Sequence, residues 1–524
     1  MTRFSKSMKK LQTCIIVVLL SSAFIVSSCA RSGGEQIGQW DRFEATIYNP
    51  ESYDNPFADV DCMVVYTRPD GSTYETFGFY DGEGVWKFRC MPDQLGVWQF
   101  QARFTDGSKD TTGVFTCVTS DIPGMISTCA QNPIWFGFTG GDPARLRSLH
   151  CGDRFFANQD NALTGESWSD SLRTVFLEWA TAQGYNMLSV ASHYLNREQP
   201  NRGAGWNTPD LWDEQNQQPN PAEFQRMERI LSDLAERRLV IYPFAGFFGK
   251  HSDYPTDPAL QDMYVKYTCA RLGSYWNLLF NVAGPEPLMK KYVYWTIPEL
   301  DQLGKLIQKY NTYNHLTSIH NRTGHDEFAD LQWVGYTILQ GLKTTDRQKL
   351  YSFMRSKAQP KRPLFAQETL WPGNTYGHPP YSDTDIRKNA YVLMMSGAAI
   401  NFGDMESSSS SGFSGSLLLE DKVQRKHELI HAAWDMMDTF PWYDMKPSPE
   451  LVDQGYCLAH PGEAYLVYLE QHDSVSVNVE PGLYQVEWID AQNGDRYEKE
   501  PITDTALFKV PQKNKDWFLY LKRQ

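Results

Sequence analysis

The feature that most constrains this chain is a series of short apolar runs that alternates with amphipathic stretches between residues 132 and 440. The eight runs lie at residues 134–138, 187–191, 239–244, 278–282, 316–319, 333–336, 364–366 and 398–402. The helix candidates between them include residues 169–183, 221–237, 258–272, 297–310 and 383–396. This alternation is typical of parallel strands with crossover helices, and eight units over about 310 residues predict a (β/α)₈ TIM barrel. A doubly wound sheet is the alternative, although no glycine-rich phosphate turn follows the first run.

The segments on either side of this region have the pattern of β-structure. Residues 37–124 contain runs rich in β-branched and aromatic residues, separated by Gly, Pro, Asp and Asn turns, which predicts an immunoglobulin-like β-sandwich. Residues 441–524 return to this pattern after a helical stretch near 419–439 and predict a small second sandwich. The expected fold class is therefore α/β multidomain, with a barrel over residues 132–440 between two β-sandwiches.

The N-terminus has the pattern of a processing signal. Basic residues precede an apolar run at 14–26, which is too short for an ordinary membrane-spanning helix. Small residues then lead to Cys29, as in the lipobox of bacterial lipoproteins. We therefore expect residues 1–28 to be a lipoprotein signal peptide, Cys29 to be the lipidation site and residues 29–36 to be a flexible tether. A plain signal peptide is the alternative.

The residue after Cys29 is Ala30, which does not resemble the aspartate of an inner-membrane retention signal. The expected location is therefore the bacterial outer membrane, on its periplasmic or its cell-surface face. Seven further cysteines, an odd count without CxxC spacing, argue against a complete disulfide framework or a zinc site but leave one or two disulfides open. We expect buried free thiols at Cys62, Cys90 and Cys117, because they lie in or beside strand-like runs.

The charge and the aromatic content indicate the kind of partner. A net charge of −14 repels nucleic acid and argues against a phosphate-backbone partner. Aromatic residues make up 14 % of the chain, which suits a protein that stacks rings on the apolar faces of sugars, although most single rings fill cores. The expected partner is a carbohydrate.

Two glutamates follow strand-like runs about eighty residues apart. Glu286 comes after the fourth run and Glu368 after the seventh. Because the carboxyl ends of barrel strands converge on one mouth, we expect the two carboxylates to share a pocket, and such a pair is the minimum for cleaving a glycosidic bond. A distance of about 5 Å between the two carboxyl groups would make Glu368 the nucleophile of a retaining enzyme. A distance of roughly 7 Å or more would leave room for a water molecule and give inversion of configuration. Two exposed glutamates without a catalytic role are the alternative.

Other residues at the ends of predicted strands resemble the hydrogen-bonding and stacking groups of a sugar site. The candidates for substrate binding are His193, Tyr194, Phe248, His320, Arg322, Tyr336, Gln340, Trp371 and Asp404. Any one of them could instead be structural, and His320 could also steer the pKa of Glu286. The sequence has no GxSxG elbow, so serine hydrolysis is not indicated, and no metal or cofactor is expected.

With these residues, the barrel region resembles the apiosidase-like glycoside hydrolases, related to a large (β/α)₈ clan whose acid/base follows strand four and whose nucleophile follows strand seven. The end of the chain, at 464–468, 484–490 and 516–520, is similar to a small β-domain often labelled collagen-binding. The beginning, with Trp40, Phe43 and 79–98, resembles the β-sandwich that precedes such barrels in bacterial lipoproteins.

The resemblance implies that Glu286 is the acid/base and Glu368 the nucleophile. Pro285 stands where the clan has an asparagine, and residues 401–405 lack the clan's tryptophan; both departures concern the substrate more than the reaction type. We expect a retaining glycoside hydrolase that acts on a plant, algal or host polysaccharide or oligosaccharide. A non-catalytic surface glycan-binding lipoprotein is the alternative, and a peptidase or matrix-binding protein is indicated by the domain label alone.

Overall fold

The computed structural model describes residues 34–152, 155–156, 170–190, 211–213, 215–244, 246–248, 255, 257–284, 286–288, 295–374, 377–404 and 417–524. The expected leader with Cys29, and the site candidates His193 and Tyr194, lie outside these residues. Within the described part of the chain, no helix has the length and apolar character needed to cross a membrane.

The N-terminal segment forms two facing sheets. Its strands are β1 (Glu35–Gly38), β2 (Phe43–Tyr48), β3 (Cys62–Thr67), β4 (Thr73–Phe77), β5 (Phe79–Gly82), β6 (Val85–Cys90), β7 (Gly96–Phe104) and β8 (Asp110–Val118). They pair in the orders β1-β8-β7-β3-β4 and β2-β6-β5. Alternate residues of β3 are buried and pack with Trp86, Phe88 and Trp98, so the period-two pattern of the strands produces an aromatic core between the sheets. A short antiparallel pair, β9 (Ile126–Thr128) and β10 (Phe136–Phe138), follows.

The central region contains a curled parallel sheet that corresponds to a half-barrel. Its strands, together with two short pairs, are β11 (Arg147–Gly152), β12 (Met187–Val190), β13 (Trp212–Asp213), β14 (Gln218–Pro219), β15 (Val240–Pro243), β16 (Phe280–Asn281), β17 (Thr317–Ser318), β18 (Thr337–Leu339), β19 (Leu364–Leu370) and β20 (Ala398–Phe402). The six-stranded sheet has the order β15-β12-β11-β20-β19-β18, and β16 pairs with β17 in parallel. Both edges of the six-stranded sheet contact this pair, through a parallel bridge between Ile241 and Leu278 and a 2.8 Å hydrogen bond from the Gly335 amide to the Thr317 carbonyl.

Helices alternate with these strands as the sequence predicts. They are α1 (Asp170–Gln183), α2 (Pro221–Glu236), α3 (Pro258–Leu272), α4 (Ile297–Tyr310), α5 (Arg347–Lys357), α6 (Asp383–Met395) and α7 (Gln424–Asp438). Side chains cap several of the N-termini: Thr296 and Glu299 form a capping box at α4, and Ser382 and Asp385 form one at α6. These local signals explain why the observed starts of α4 and α6, at residues 297 and 383, coincide with the predicted starts. Helix α5 was not among the helix candidates named from the sequence.

The first strand of the parallel sheet differs from the prediction. Residues 134–138 were expected to start the barrel, but β10 pairs antiparallel with β9, and β11 takes the place between β20 and β12. The run Arg147–Gly152 does not look like a buried strand because Ser148 and His150 are polar, yet both are buried. The sixth strand also begins one residue beyond the predicted run 333–336.

The C-terminal segment forms a second β-structure. Its strands are β21 (Lys446–Pro447), β22 (Tyr456–His460), β23 (Ala464–Glu470), β24 (Ser474–Val477), β25 (Tyr484–Asp490), β26 (Arg496–Ile502), β27 (Ala506–Lys509) and β28 (Asp516–Arg523). Six of them pair in the order β21-β22-β23-β28-β25-β26, and β24 pairs with β27. One face of β23 packs in a core of its own through Tyr465 and Val467, and the other packs through Leu466 and Tyr468 in the main core. This sheet is therefore covered on both faces.

A buried ionic cluster joins the N-terminal sheets to α2 and α3. Glu228 of α2 lies 2.7 Å from Arg89 Nη1 of β6 and 2.7 Å from Arg271 Nη2 of α3. Burial by itself would raise the pKa of Glu228, but the two guanidinium groups hold that pKa well below its usual range. Arg271 also pairs with Asp81, so the cluster is satisfied by several hydrogen-bonded partners.

Candidate active site

Glu368 lies in the carboxyl-terminal half of β19, where every residue is buried, and is itself 3 % exposed. Gln340, just beyond the end of β18, donates a hydrogen bond from Nε2 to Glu368 Oε2 at 2.5 Å. The Thr323 hydroxyl donates to Gln340 Oε1 at 2.6 Å, which determines the orientation of the amide. A buried carboxylate needs such donors, and here one of them is itself held in place.

Lys343 adds a positive charge to this pocket. Its Nζ lies 3.6 Å from Glu368 Oε2, and its side chain is largely buried. A cation this close favours the ionised form of a carboxylate. The arrangement therefore suits a group that attacks or stabilises positive charge rather than one that delivers a proton.

His320 faces the other oxygen of Glu368. Its Nε2 lies 3.9 Å from Oε1, the residue is fully buried, and neither ring nitrogen has a hydrogen-bond partner in the described part of the chain. Burial lowers the pKa of His320 to about 4, and the charge of Lys343 acts in the same direction. A neutral imidazole can donate from one nitrogen and accept at the other, so this ring is suited to bind a hydroxyl group that enters the pocket.

Glu286 lies in the loop after β16, is partly buried and has a φ of +53°. Such a left-handed conformation is uncommon outside glycine and is found more often at functional sites. Two residues earlier, a Cβ on Gly284 would lie 3.1 Å from the Cβ of His320 and 2.1 Å from the Phe244 carbonyl oxygen. Glycine therefore lets this loop pass directly beside His320, whose ring faces Glu368.

Aromatic side chains lie next to these polar groups. Trp371 follows β19, stacks on His150 with ring centroids 4.0 Å apart, and donates from Nε1 to the Asn401 carbonyl at 3.1 Å. The ring of His378 lies parallel to Trp371 with centroids 6.4 Å apart. Burial lowers the pKa of His378 to about 3, and the charge of Lys343 contributes, so His378 is also neutral at ordinary pH.

A polar network links four strands under the pocket. Gln367 donates to the Ser189 hydroxyl at 3.2 Å, Asn401 donates to Gln367 Oε1 at 2.9 Å, and the Ser148 hydroxyl donates to Asn401 Oδ1 at 2.9 Å. The network therefore connects β11, β12, β19 and β20 and restricts movement of the strand that carries Glu368. These residues were not predicted as part of the site, and the available signal was a polar residue inside an apolar run.

The described contacts of three predicted binding residues are with groups other than those around Glu368. Phe248 packs on Phe280 with centroids 5.6 Å apart and is buried in the main core. Tyr336 is fully buried and precedes β18, at the strand end opposite Gln340, and its hydroxyl donates to the Phe280 carbonyl at 3.2 Å. Arg322 pairs with Glu327. The expectation that Tyr336 lies at a carboxyl strand end is wrong, because the strand starts one residue later than the predicted run ends.

Asp404 is held by the start of α7. It accepts a hydrogen bond from the Val423 amide at 2.6 Å and one from His427 Nε2 at 3.1 Å, and the other ring nitrogen of His427 is bonded to the Tyr185 hydroxyl at 2.7 Å. Burial would raise the pKa of Asp404, but these two bonds outweigh burial and lower it. The described contacts of Asp404 therefore connect the end of β20 to α7.

The seven cysteines beyond Cys29 are all buried and carry free thiols. Burial raises the pKa of six of them, for example that of Cys62 to about 12, so these six thiols are protonated and unreactive at ordinary pH; the six are Cys62, Cys90, Cys117, Cys151, Cys269 and Cys457. They lie in cores and do not contribute to the pocket around Glu368.

Comparison with known proteins identifies two regions of the chain. A family model described as the apiosidase-like catalytic domain matches residues 154–406, and a domain of unknown function, DUF5060, matches residues 36–105. The search of curated proteins found no match. The resemblance inferred from the sequence is therefore confirmed for the catalytic domain.

Solved structures share the fold at low sequence identity. A candidate glycoside hydrolase from Bacteroides vulgatus superposes with a TM-score of 0.72 at 17 % identity, covering 94 % of this chain and 100 % of that one. A second glycoside hydrolase gives a TM-score of 0.58 at 15 % identity over 76 % of this chain and 97 % of that one. A family 5 glycoside hydrolase of B. vulgatus gives 0.55 at 15 % identity, over 76 % of this chain and 94 % of that one.

Proposed function

We propose that this chain, a glycoside hydrolase with an apiosidase-like catalytic domain, cleaves a plant, algal or host polysaccharide or oligosaccharide with retention of configuration. Glu368 is the nucleophile in this proposal and Glu286 is the acid/base. The observation that carries the assignment is the position of Glu368 at the carboxyl end of β19, between the amide of Gln340, the ammonium group of Lys343 and the neutral ring of His320.

The proposed reaction has two steps. In the first, a Glu368 oxygen attacks the anomeric carbon while Glu286 gives its proton to the glycosidic oxygen, so that the bond to the leaving sugar breaks and a glycosyl ester forms. In the second, Glu286 takes a proton from water, the water oxygen attacks the anomeric carbon, and the ester bond to Glu368 breaks. Lys343 and Gln340 hold the Glu368 carboxylate before the first step and again after the second, and His320 binds a sugar hydroxyl beside it.

The proposal includes a closed barrel. In it, β16 and β17 fill the gap between β15 and β18, which is supported by the Ile241–Leu278 bridge and the bond from Gly335 to Thr317. Closure would bring the loop of Glu286 and the end of β19 to one mouth. We assign residues 132–440 to this barrel, residues 37–124 to an N-terminal sandwich and residues 441–524 to a C-terminal one.

We also propose that Cys29 carries the lipid that anchors the enzyme in a bacterial outer membrane, on its periplasmic or cell-surface face. The apolar run and small residues before Cys29 support this assignment. Mass spectrometry of the mature N-terminal peptide tests it: an acylated Cys29 is expected, and an unmodified N-terminus elsewhere contradicts it.

The function is tested by the release of sugars from a broad panel of plant, algal and host glycans by wild type, Glu286→Gln and Glu368→Gln. We expect both variants to lose activity by at least about a thousandfold, because each lacks a group required in the transition state. Glu498→Gln, at an exposed position on β26, is the matched control and should retain activity. Proton NMR of the first product gives its configuration, and an inverted product would contradict the nucleophile assigned to Glu368.

A further inference from the structure

A second cavity lies at the opposite end of the parallel sheet from Glu368. Its volume is about 300 Å³, which is in the range of ligand pockets. It is formed where Leu364 begins β19, where Gly397 precedes β20 and where Pro447 of β21 covers the sheet. Leu364 is four residues from Glu368, so the two sites are separated by roughly 13 Å along the strand.

The charged side chains that line this cavity are all cations. They are Arg355 at the end of α5, Arg362 just before β19 and Lys446 of β21, and the remaining lining residues are uncharged. In a chain with a net charge of −14, a cavity lined by three cations and no carboxylate is an unusual local concentration of positive charge. It gives the cavity a positive potential, which would attract an anion.

The three cations retain capacity to bind a ligand. Arg355 Nη1 donates to the Ser396 carbonyl at 3.2 Å, and Arg362 Nη1 donates to the Ala329 carbonyl at 2.9 Å. These bonds orient the guanidinium groups but use one nitrogen of each, whereas a guanidinium has five N–H donors. Within the described residues, none of the three cations forms an ion pair with a carboxylate.

The positive charge of Arg362 is only partly offset by nearby negatively charged side chains. Burial lowers the pKa of Arg362, although Asp326 and Asp330 act in the opposite direction. Arg89 and Arg387 are buried more deeply than Arg362, but they are paired directly with carboxylates, and their pKa values are raised. An anion in the cavity would supply for Arg362 the kind of partner that the other two already have.

We propose that this cavity is a second carbohydrate-binding site that takes an acidic sugar residue, with the carboxylate or sulfate oxygens on Arg355, Arg362 and Lys446. The apolar side chains of Ile134, Leu364 and Pro447 would contact the CH groups of the sugar ring. The choice of a sugar rests on the proposed function, whereas the preference for an anion rests on the cavity. Such a site would retain an acidic polysaccharide on the enzyme without taking part in the cleavage of the bond.

The test is calorimetric titration of the full chain carrying Glu368→Gln, which prevents hydrolysis during the measurement. The ligands are an oligogalacturonate, a sulfated oligosaccharide, a neutral oligosaccharide of equal length and inorganic sulfate. We expect an acidic ligand to bind at this site with a Kd that weakens with salt, and we expect the neutral ligand not to bind there. Comparison of the first two ligands identifies whether carboxylate or sulfate is the preferred anion.

Lys446→Met, at an exposed position that should not affect folding, is expected to weaken acidic-ligand binding by about tenfold. Lys522→Met, also exposed in the same sheet, is the matched control and should bind as the parent does. Unchanged binding in Lys446→Met and Arg355→Met, equal affinity for acidic and neutral ligands, or binding of inorganic sulfate alone would overturn the proposal. In the chain that keeps Glu368, Lys446→Met should hydrolyse a neutral substrate as wild type does. Hydrolysis tests the proposed function and calorimetric titration tests this site, so the failure of one is distinguished from the failure of the other.

Discussion

The Gln340 amide donates a hydrogen bond from Nε2 to Oε2 of Glu368 at 2.5 Å. This bond joins the residue after β18 to the strand beside it, and it places a neutral donor and the ammonium group of Lys343 on the same carboxylate oxygen. Both contacts restrict the orientation of the carboxylate.

Replacement of Gln340 by leucine should lower kcat/KM by about ten- to a hundredfold. A hydrogen bond to a charged group contributes about 1.5–3 kcal/mol, and leucine leaves that oxygen of the buried carboxylate without the donor. Steady-state kinetics on the substrate found by the panel measures the effect. Gln492→Leu, at an exposed position, should have wild-type kinetics, and an equal loss in both variants would contradict the role of Gln340.

Lys343→Met should lower kcat/KM by about tenfold. The Nζ of Lys343 lies 3.6 Å from Glu368 Oε2, so the substitution removes a positive charge beside the carboxylate that is assigned as the nucleophile. Steady-state kinetics at neutral pH on the substrate found by the panel measure the loss. Lys343→Arg keeps the charge and should retain more activity than Lys343→Met, whereas an equal loss in both variants would show that Lys343 acts through packing alone.

The neutral state of His320 should make stability depend on pH. Burial lowers its pKa from the usual 6.5 to about 4, so between these values the unfolded chain binds a proton that the folded chain does not. This contribution to stability is present above about pH 6.5 and is lost as the pH falls toward about 4. Between pH 7 and pH 4.5, the melting temperature of His320→Asn should therefore fall by less than that of wild type. His460→Asn, at an exposed position, should follow wild type, and parallel curves for all three proteins would contradict the prediction.

Glu228→Gln should destabilise the protein by about 3–5 kcal/mol. The substitution removes the carboxylate that Arg89 and Arg271 share and leaves each with one other carboxylate, Glu44 for Arg89 and Asp81 for Arg271, and removing one partner from a buried ionic cluster is costly. Thermal unfolding monitored by circular dichroism and by tryptophan fluorescence measures the loss. Glu236→Gln, exposed on the same helix, should change the melting temperature by less than about 2 °C. A small effect of Glu228→Gln would mean that the cluster is solvated in solution.

Local patterns were sufficient to predict much of the central region. Proline and capping residues at the start of α2, α3 and α4 made their starts predictable, because these signals act within three or four residues. The bounds of β20 were also predicted as observed, because an apolar run is likewise a property of neighbouring residues. The placement of Glu368 at a carboxyl strand end followed from that pattern.

Polar residues in buried strands were the main source of error. β11 was missed because Ser148 and His150 do not resemble core residues, and the partners that help to explain their burial include Asn401, Ser189 and Trp371. Those partners come from strands far along the chain. A hydrogen bond of this kind has no local signal in the sequence.

The sequence by itself determined most of the helices and strands, and that one glutamate follows each of two strand-like runs, because periodicity and capping are properties of neighbouring residues. Only the tertiary structure decided that Glu368 meets Gln340, Lys343 and His320, that Tyr336 lies at the other strand end, and that three cations surround one cavity. The physical reason is that a buried polar or charged group is stabilised by whichever partners the packed strands and helices bring within a few ångströms, and that set is defined by the whole fold rather than by sequence spacing.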